Sequence, residues 1–176
     1  MQSSPVREAA AFQEAKLTEI QVGIADLKVT AQPHRLITLG LGSCVGLTLY
    51  DPATRVGGLL HIMLPDSTQF NSVNKPAKFA DLGIPLLLSE IGRYGGKVNN
   101  LQAKIAGGAQ MFSGLNEKFV LNIGERNIAM TRQTLKNLGI RIMAEEVGGN
   151  RGRTMILDTT NGQVIIRTVG TPVKVI

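Results

Sequence analysis

The chain contains a single cysteine, Cys44, and only two histidines, one of which, His61, lies 17 residues after it. Cys44 directly follows a glycine-rich turn with the sequence Gly-Leu-Gly-Ser at residues 40–43. A thiol becomes a strong nucleophile when a base such as imidazole removes its proton. Cys44 and His61 therefore provide the nucleophile and the base that acyl transfer requires. In that reaction the sulfur attacks a carbonyl carbon, and water later hydrolyses the thioester.

A cysteine nucleophile of this kind needs a third group that accepts a hydrogen bond from the second imidazole nitrogen and so orients the ring. Thr38 lies six residues before Cys44, and its hydroxyl can accept that bond. The carboxylates of Asp51 and Asp66 are also near in sequence, but Asp51 belongs to the far turn of the expected hairpin. The other histidine, His34, lies in a turn beside a proline. We therefore expect Cys44, His61 and Thr38 to be the catalytic residues.

The turn before Cys44 predicts a site for the negative charge that develops on the substrate oxygen. Gly40 and Gly42 leave room for a substrate to approach, and they free backbone N–H groups to stabilise a tetrahedral oxyanion. We expect the oxyanion turn to consist of Gly42, Ser43 and Cys44, with the Cys44 N–H as the first donor. Ser43 is interpreted as a residue that shapes the turn and not as a second nucleophile.

Each of these residues also has an ordinary structural interpretation. A lone cysteine is commonly a small buried hydrophobe, a histidine in Leu-Leu-His-Ile-Met is commonly a core residue, and Thr38 suits a strand. Residue types and spacing alone leave both interpretations open. A dinucleotide-binding loop does not fit, because Val45 stands where that motif has its third glycine. One cysteine and two histidines also disfavour a structural zinc site, and no cofactor is expected.

The predicted secondary structure brings the three side chains close together. Residues 45–50 and 56–63 have the pattern of two strands joined by a turn at 51–54, which contains a proline at its second position. Cys44 begins the first strand and His61 lies near the end of the second, and these ends are neighbours in an antiparallel hairpin. Thr38 lies on the preceding predicted strand, 35–41.

The rest of the chain predicts more strands and two longer helices. The out-of-phase apolar pattern of 20–29 indicates two short strands or one bulged strand. Further strands are expected at 98–105, 140–147, 155–158 and 164–169, the last two joined by an Asn-Gly turn. Helices are expected at 77–94 and 122–138. These elements indicate an α/β fold, rich in strands, with packed sheets and outer helices.

Both helices carry residues that predict how they begin or end. Pro85 either kinks the first helix or marks its first turn. In the second helix, Asn122 is the expected N-cap, Glu125 completes a capping box, and Gly139 ends the helix.

Length and composition limit the class of protein. A chain of 176 residues with 43% hydrophobic residues suggests one domain, and we expect it to span 18–176 after an N-terminal extension, 1–17. No apolar run approaches the roughly 20 residues that span a bilayer, so neither membrane insertion nor secretion is expected, and the cytoplasm is the expected location. The net charge is +6, but basic residues are scattered and no nucleic-acid motif is present. An acidic protein partner is the expected alternative.

Six ordered blocks of sequence resemble the chemotaxis protein CheD family. They are TLGLGSCV at 38–45, HIMLPDS at 61–67, KPAKFAD at 75–81, KIAGGAQMF at 104–112, NIGERN at 122–127 and EEVGGNRGR at 145–153. The resemblance implies a Cys-His-Thr triad, which maps onto Cys44, His61 and Thr38. It also implies a β-sandwich of two mixed, largely antiparallel sheets flanked by helices, similar to the catalytic domain of cytotoxic necrotizing factor.

The function implied by this resemblance is the deamidation of specific glutamines on methyl-accepting chemoreceptors, which yields glutamate and ammonia. A CheC-type phosphatase is the implied partner, and the cytoplasmic helices of the receptor are the implied substrate. The loops at 107–108 and 148–153 are expected to border the site, where Arg151 and Arg153 either meet an acidic surface or are simply solvated.

Two other functions compete with this one. The first is a binding module for the phosphatase or the receptor, with weak catalysis. The second is a thiol redox sensor, which is disfavoured because no second cysteine can resolve an oxidised Cys44.

Overall fold

The structure is a computed structural model, described here for residues 16–111 and 122–176. It contains strands β1 (Glu19–Gln21), β2 (Leu27–Ala31), β3 (Arg35–Leu41), β4 (Val45–Asp51), β5 (Val56–Ile62), β6 (Gln102–Gly107), β7 (Arg141–Val147), β8 (Arg153–Asp158), β9 (Val164–Thr168) and β10 (Lys174–Val175). The helices are α1 (Ala80–Arg93) and α2 (Ile123–Asn137), with short 3-10 turns at Pro76–Lys78 and Val98–Asn100. The expected N-terminal extension lies outside the described residues, except for exposed Lys16 and Leu17.

The strands form two mixed sheets of five, which confirms the expected α/β class. Sheet I has the order β1-β3-β8-β9-β10, and sheet II has the order β2-β5-β4-β6-β7. The pairs β1–β3 and β6–β7 are parallel, and the other pairs are antiparallel. The predicted 20–29 segment is two short strands, and these enter different sheets. Similarity to the cytotoxic necrotizing factor fold stays a prediction.

Sheet II is the middle layer of the molecule, because side chains alternate across each strand. On β4, Val45, Leu47 and Leu49 are fully buried in the apolar cluster that contains the helix side chains. Tyr50 belongs to the second cluster, which lies between the two sheets. Gly46 also faces sheet I, since a Cβ atom there would lie 2.7 Å from the Met155 sulfur. Both faces of β4 are therefore buried.

The helices lie against one face of sheet II, where α1 packs on β5 and α2 packs on β7 and on α1. Burial of each aliphatic side chain in this layer contributes roughly 1.5–3 kcal/mol. None of the helices in the described parts of the chain is both long and apolar enough to cross a bilayer.

Several predicted boundaries differ from the structure. Helix α1 begins at Ala80, so Pro85 lies inside the helix and does not mark its first turn. Asn122 occupies the N-cap position of α2, but its backbone is left-handed with φ of 64° and its side chain makes no capping bond. The capping box with Glu125 is therefore wrong, whereas Gly139 ends the helix with φ of 70°, as expected. The predicted strand 98–105 begins later, at Gln102.

Candidate active site

The β4–β5 hairpin sets the relative positions of Cys44 and His61. Val45 pairs with Ile62, and Gly46 pairs with His61. Cys44 is two residues from Gly46, so its side chain lies on the same face as that of His61, diagonally across the hairpin. Both side chains therefore face sheet I, and Cys44 packs against the cluster between the sheets.

Thr38 reaches His61 from the opposite sheet. The Thr38 hydroxyl oxygen lies 2.7 Å from His61 Nδ1, and both residues are completely buried. The same hydroxyl donates its proton to the Val22 carbonyl at 2.8 Å. Because Thr38 has a single proton and a carbonyl can only accept, His61 Nδ1 must carry the hydrogen in the bond to Thr38. The neutral ring then has its free lone pair on Nε2, as a general base requires.

His61 Nε2 is buried and makes no hydrogen bond to any described residue, the Cys44 thiol included. The structure thus joins Thr38 to His61 but does not close a bond between Cys44 and His61. Such bonds are often long in free enzymes and tighten when substrate binds. Burial lowers the pKa of His61 to about 4, so the ring is neutral near pH 7.

Cys44 is half-buried, at the boundary between the interior and the surface. Burial raises the pKa of its thiol, an effect that its own backbone N–H partly offsets by hydrogen bonding to the sulfur. Since burial disfavours both the thiolate and the imidazolium ion, the resting pair consists of a neutral thiol and a neutral imidazole. A thiol in this state acts as a nucleophile only when a base takes its proton during the attack.

The Cys44 N–H is free because the sheet ladder breaks beside it. The Gly108 N–H donates to the Cys44 carbonyl at 2.8 Å, and a regular antiparallel pair would return a bond from the Cys44 N–H to the Gly108 carbonyl. That return bond is absent among the described residues. Gly107 and Gly108 have φ of 100° and 64°, which turns the chain out of the ladder. The Gly108 carbonyl instead points at α2, since a Cβ on Gly124 would lie 2.6 Å from its oxygen.

The turn before Cys44 is held in place by backbone bonds. Gly40 is left-handed with φ of 68°, and its carbonyl accepts from the Gly42 N–H at 2.9 Å. The Gly42 carbonyl accepts from the Ala109 N–H at 2.7 Å. A side chain at Gly42 would collide with Met111, because a Cβ there would lie 2.8 Å from its sulfur. The predicted turn of Gly42, Ser43 and Cys44 therefore borders open space that Met111 partly covers.

A cavity of about 290 Å³ opens at this turn. It is lined by residues 40, 42–44, 109–111 and 122–125. The lining combines the Cys44 turn, the segment after the two left-handed glycines, and the first turn of α2. Gln110 and Glu125 supply polar groups, and Met111 and Ile123 supply apolar surface.

Asn127 contacts the site but was not identified from sequence as a functional residue. Its side-chain Nδ2 donates to the Ser43 carbonyl at 2.9 Å and to the Met63 carbonyl at 3.1 Å. The buried positions on α2 are Gly124, Asn127, Ile128, Thr131 and Leu135. An asparagine in the middle of this otherwise small and apolar face is the signal that could have identified it.

The other polar candidates lie elsewhere. His34 Nδ1 accepts from the Thr18 N–H at 3.2 Å, outside the site. Asp51 lies at the opposite end of the hairpin, as expected. Arg153 is only 8% exposed, and its guanidinium binds the Gly148 carbonyl at 2.7 Å. It therefore braces the loop and does not offer a surface for an acidic partner, whereas Arg151 is exposed.

Comparison with known proteins identifies relatives over most of the chain. The chain is 72% identical over 158 residues to a protein of Desulforamulus reducens, covering 90% of this chain and 95% of the relative. It is 55% identical over 159 residues to a Clostridium tetani protein (90% and 96%) and 52% identical over 159 residues to a Clostridium kluyveri protein (90% and 98%). All three are named "Probable chemoreceptor glutamine deamidase CheD".

A solved structure, Bacillus licheniformis hypothetical protein YfiH, is similar at a TM-score of 0.43 and 18% identity, over 69% of this chain and 49% of that one. The family described as "CheD chemotactic sensory transduction" matches residues 63–168. That match begins after Cys44, His61 and Thr38, whereas the pairwise relatives cover 90% of the chain. With the family match and the 72% identical relative together, the chain belongs to the CheD family.

Proposed function

We propose that this protein hydrolyses the side-chain amides of glutamines on chemoreceptors, with the cavity beside Cys44 as the substrate site. The names of the relatives support the deamidase activity and the receptor substrate. The catalytic unit is residues 18–176, the substrate is the cytoplasmic helices of the receptor, and the reaction takes place in the cytoplasm. No cofactor enters the chemistry proposed below.

The first half of the reaction forms a thioester. His61 Nε2 takes the thiol proton as the Cys44 sulfur bonds to the glutamine Cδ, and the carbonyl oxygen becomes an oxyanion. The Cys44 N–H, which is free of the sheet ladder, donates to that oxyanion. As the C–N bond breaks, the proton on His61 moves to the leaving nitrogen, and ammonia departs.

The second half restores the enzyme. Water enters the space left by ammonia, and His61 Nε2 removes one of its protons while the oxygen attacks the thioester carbon. A second oxyanion forms in the same position and collapses with loss of the sulfur, which recovers its proton from His61. The product is a carboxylic acid, which loses the second proton of the water to solvent and becomes the glutamate carboxylate. Thr38 keeps the hydrogen on Nδ1 in both halves, so that Nε2 remains the atom that exchanges protons.

The observation that carries this proposal is the chain of bonds from His61 to Thr38 to the Val22 carbonyl. It leaves a buried Nε2 lone pair on the hairpin face that Cys44 shares. A buried polar atom without a partner costs roughly 1–3 kcal/mol. A module that only binds a partner gains nothing from that cost, whereas a general base needs the lone pair free.

The experiment measures deamidation of a receptor cytoplasmic fragment from the same organism by peptide mass analysis. Wild-type protein should add about 1 Da per target glutamine, because hydrolysis through the acyl-enzyme exchanges NH₂ for OH. Cys44→Ala should add none. The matched control is His34→Gln, which replaces the other histidine and should keep full activity.

The outcomes separate the two leading functions. Absence of a mass gain with wild-type protein would contradict the deamidase and favour the binding module. An equal gain with wild type and Cys44→Ala would show that Cys44 is not the nucleophile. A CheC-type phosphatase as partner is a second part of the proposal, supported by the family resemblance. It is tested by co-purification, which Cys44→Ala should leave intact.

A further inference from the structure

Asn127 makes two hydrogen bonds that the reaction steps above do not use. Its side chain is completely buried on α2, and Nδ2 donates to the carbonyls of Ser43 and Met63. Ser43 precedes the nucleophile, and Met63 lies two residues beyond His61. One side chain therefore ties the turn that carries Cys44 to the strand that carries the base.

The bond to Ser43 acts on the nucleophile's own N–H. The Ser43 carbonyl and the Cys44 N–H belong to the same peptide group, which is planar and trans, so they point in opposite directions. Holding the carbonyl on Asn127 therefore fixes the direction of the N–H on the opposite side of the same peptide plane.

Nothing else in the described residues fixes this peptide group by hydrogen bonding. The Ser43 carbonyl accepts from no backbone N–H there, and the Cys44 N–H donates to no carbonyl. The two neighbouring carbonyls, of Gly42 and Cys44, are both held by backbone donors on the segment after β6. The Ser43–Cys44 peptide group is therefore able to rotate unless Asn127 holds it.

We propose that Asn127 is a positioning residue that keeps the Ser43–Cys44 peptide group oriented with the Cys44 N–H toward the substrate oxyanion. The proposal rests on the proposed acyl transfer at Cys44. Asn127 touches neither substrate nor sulfur, and its effect reaches the reaction only through the direction of one N–H. The bond to Met63 keeps the base strand at a fixed distance from the same turn.

The test compares two reactions of the same thiol in wild type and in Asn127→Leu, which keeps the branching at Cγ but loses both N–H donors. The first is reversible addition to a peptide with a glutamine-like aldehyde. In it the sulfur bonds to the carbonyl carbon, which becomes tetrahedral, and the oxygen is negative before it takes a proton. The second is alkylation by iodoacetamide, in which sulfur displaces iodide and no oxyanion forms. Only the first requires the Cys44 N–H.

We expect Asn127→Leu to weaken aldehyde binding and to lower the deamidation kcat by about 10²-fold, the usual effect of losing one oxyanion donor. The rate of alkylation should stay within about threefold of the wild-type rate. The KM for the receptor fragment should stay within the same range of about threefold. The matched control is Thr131→Val, a buried substitution one turn further along α2, which should change neither reaction. Asn127→Ala, which is smaller and also lacks the donors, repeats the test if the leucine variant does not fold.

Three results would overturn the inference. They are equal losses in aldehyde binding and alkylation, unchanged aldehyde binding in a folded variant, and a crystal structure of Asn127→Leu with the Ser43 carbonyl unmoved. Failure of the proposed function is separate, because it appears as wild-type protein that deamidates no receptor glutamine. The aldehyde and alkylation measurements do not depend on that substrate and still test Asn127.

Discussion

The two ends of the β4–β5 hairpin each bury a polar side chain, but the two side chains differ in how fully they are hydrogen-bonded. At the turn, the fully buried Asp51 carboxylate accepts from the backbone N–H groups of Ala53, Thr54 and Lys97, at 2.9, 3.4 and 2.9 Å. Burial alone would raise the pKa of Asp51, but these bonds outweigh burial and lower it. At the open end, His61 uses one nitrogen, and the other has no hydrogen-bond partner among the residues that the structure describes.

This difference separates a buried group that stabilises from a buried group that is available to react. Both oxygens of the Asp51 carboxylate accept hydrogen bonds, so the carboxylate stays ionised and stabilises the turn. The charged form of His61 has no compensating partner, so burial keeps the ring neutral. We therefore expect substitutions at the two ends to have opposite effects on activity and stability.

The largest expected effect is on activity at the open end. His61→Gln should lower kcat for receptor deamidation by about 10²–10⁴-fold, the usual contribution of a general base. The free energy of unfolding should change little, because the glutamine amide N–H can replace the Nδ1–H that donates to Thr38. Mass analysis of the receptor fragment and urea unfolding of the variant measure the two quantities.

Thr38 provides the control for this prediction. Thr38→Val keeps the shape but removes the acceptor for Nδ1–H, so the wrong nitrogen can carry the hydrogen and activity should fall. Thr38→Ser keeps the hydroxyl and should restore most of that loss. Equal activity of the valine and serine variants would contradict the assigned role of the Thr38 hydroxyl.

The next effect is on stability at the turn. Asp51→Asn replaces one carboxylate oxygen with an amide that cannot accept from a backbone N–H, which leaves a buried donor unpaired. We expect the free energy of unfolding to fall by roughly 1–3 kcal/mol. The deamidation rate per folded molecule should match that of wild type, and a loss of kcat would show that the two ends are coupled.

The smallest expected effect is a difference between His61 and Asp51 in how their contributions to stability depend on pH. Because His61 titrates near its ordinary value of 6.5 when unfolded and at about 4 when folded, the unfolded state binds more protons between these values. The contribution of His61 to the free energy of unfolding is therefore fully present above pH 6.5 and is lost as the pH falls toward 4. The pKa of Asp51 is lowered from 3.8 by folding, so its contribution to the free energy of unfolding is kept until the pH falls below about 3.8.

Urea unfolding of wild type and His61→Gln at several pH values measures this window. The stability of wild type relative to the variant should decline between pH 6.5 and about 4. A difference that stays constant across the window would mean that His61 titrates alike in the folded and unfolded states.

The sequence predicts the hairpin well because its signals are local. Alternating apolar residues and a proline turn define β4 and β5, and antiparallel geometry then places Cys44 and His61 on one face. Thr38 was also expected near His61, although it reaches His61 from a different sheet. The catalytic roles of all three residues stay predictions until the variants are measured.

Features that depend on contacts distant in sequence were not predictable in the same way. Glu19–Gln21 and Leu27–Ala31 enter different sheets, which no local pattern indicates. Asn122 looks like an N-cap by residue type, but it is left-handed, and its side-chain oxygen lies within reach of Gln110 instead. The role of Asn127 depends on where the Ser43 carbonyl lies, and only the folded chain brings the two together.

The bond between Thr38 and His61 joins the two sheets of the molecule, and this has a consequence during protein synthesis. Before the sheets dock, His61 has no fixed tautomer and the Cys44 turn has no α2 to rest on. Under the proposed mechanism, a chain leaving the ribosome carries an ordinary cysteine, and the reaction with amides begins only when the two sheets have docked.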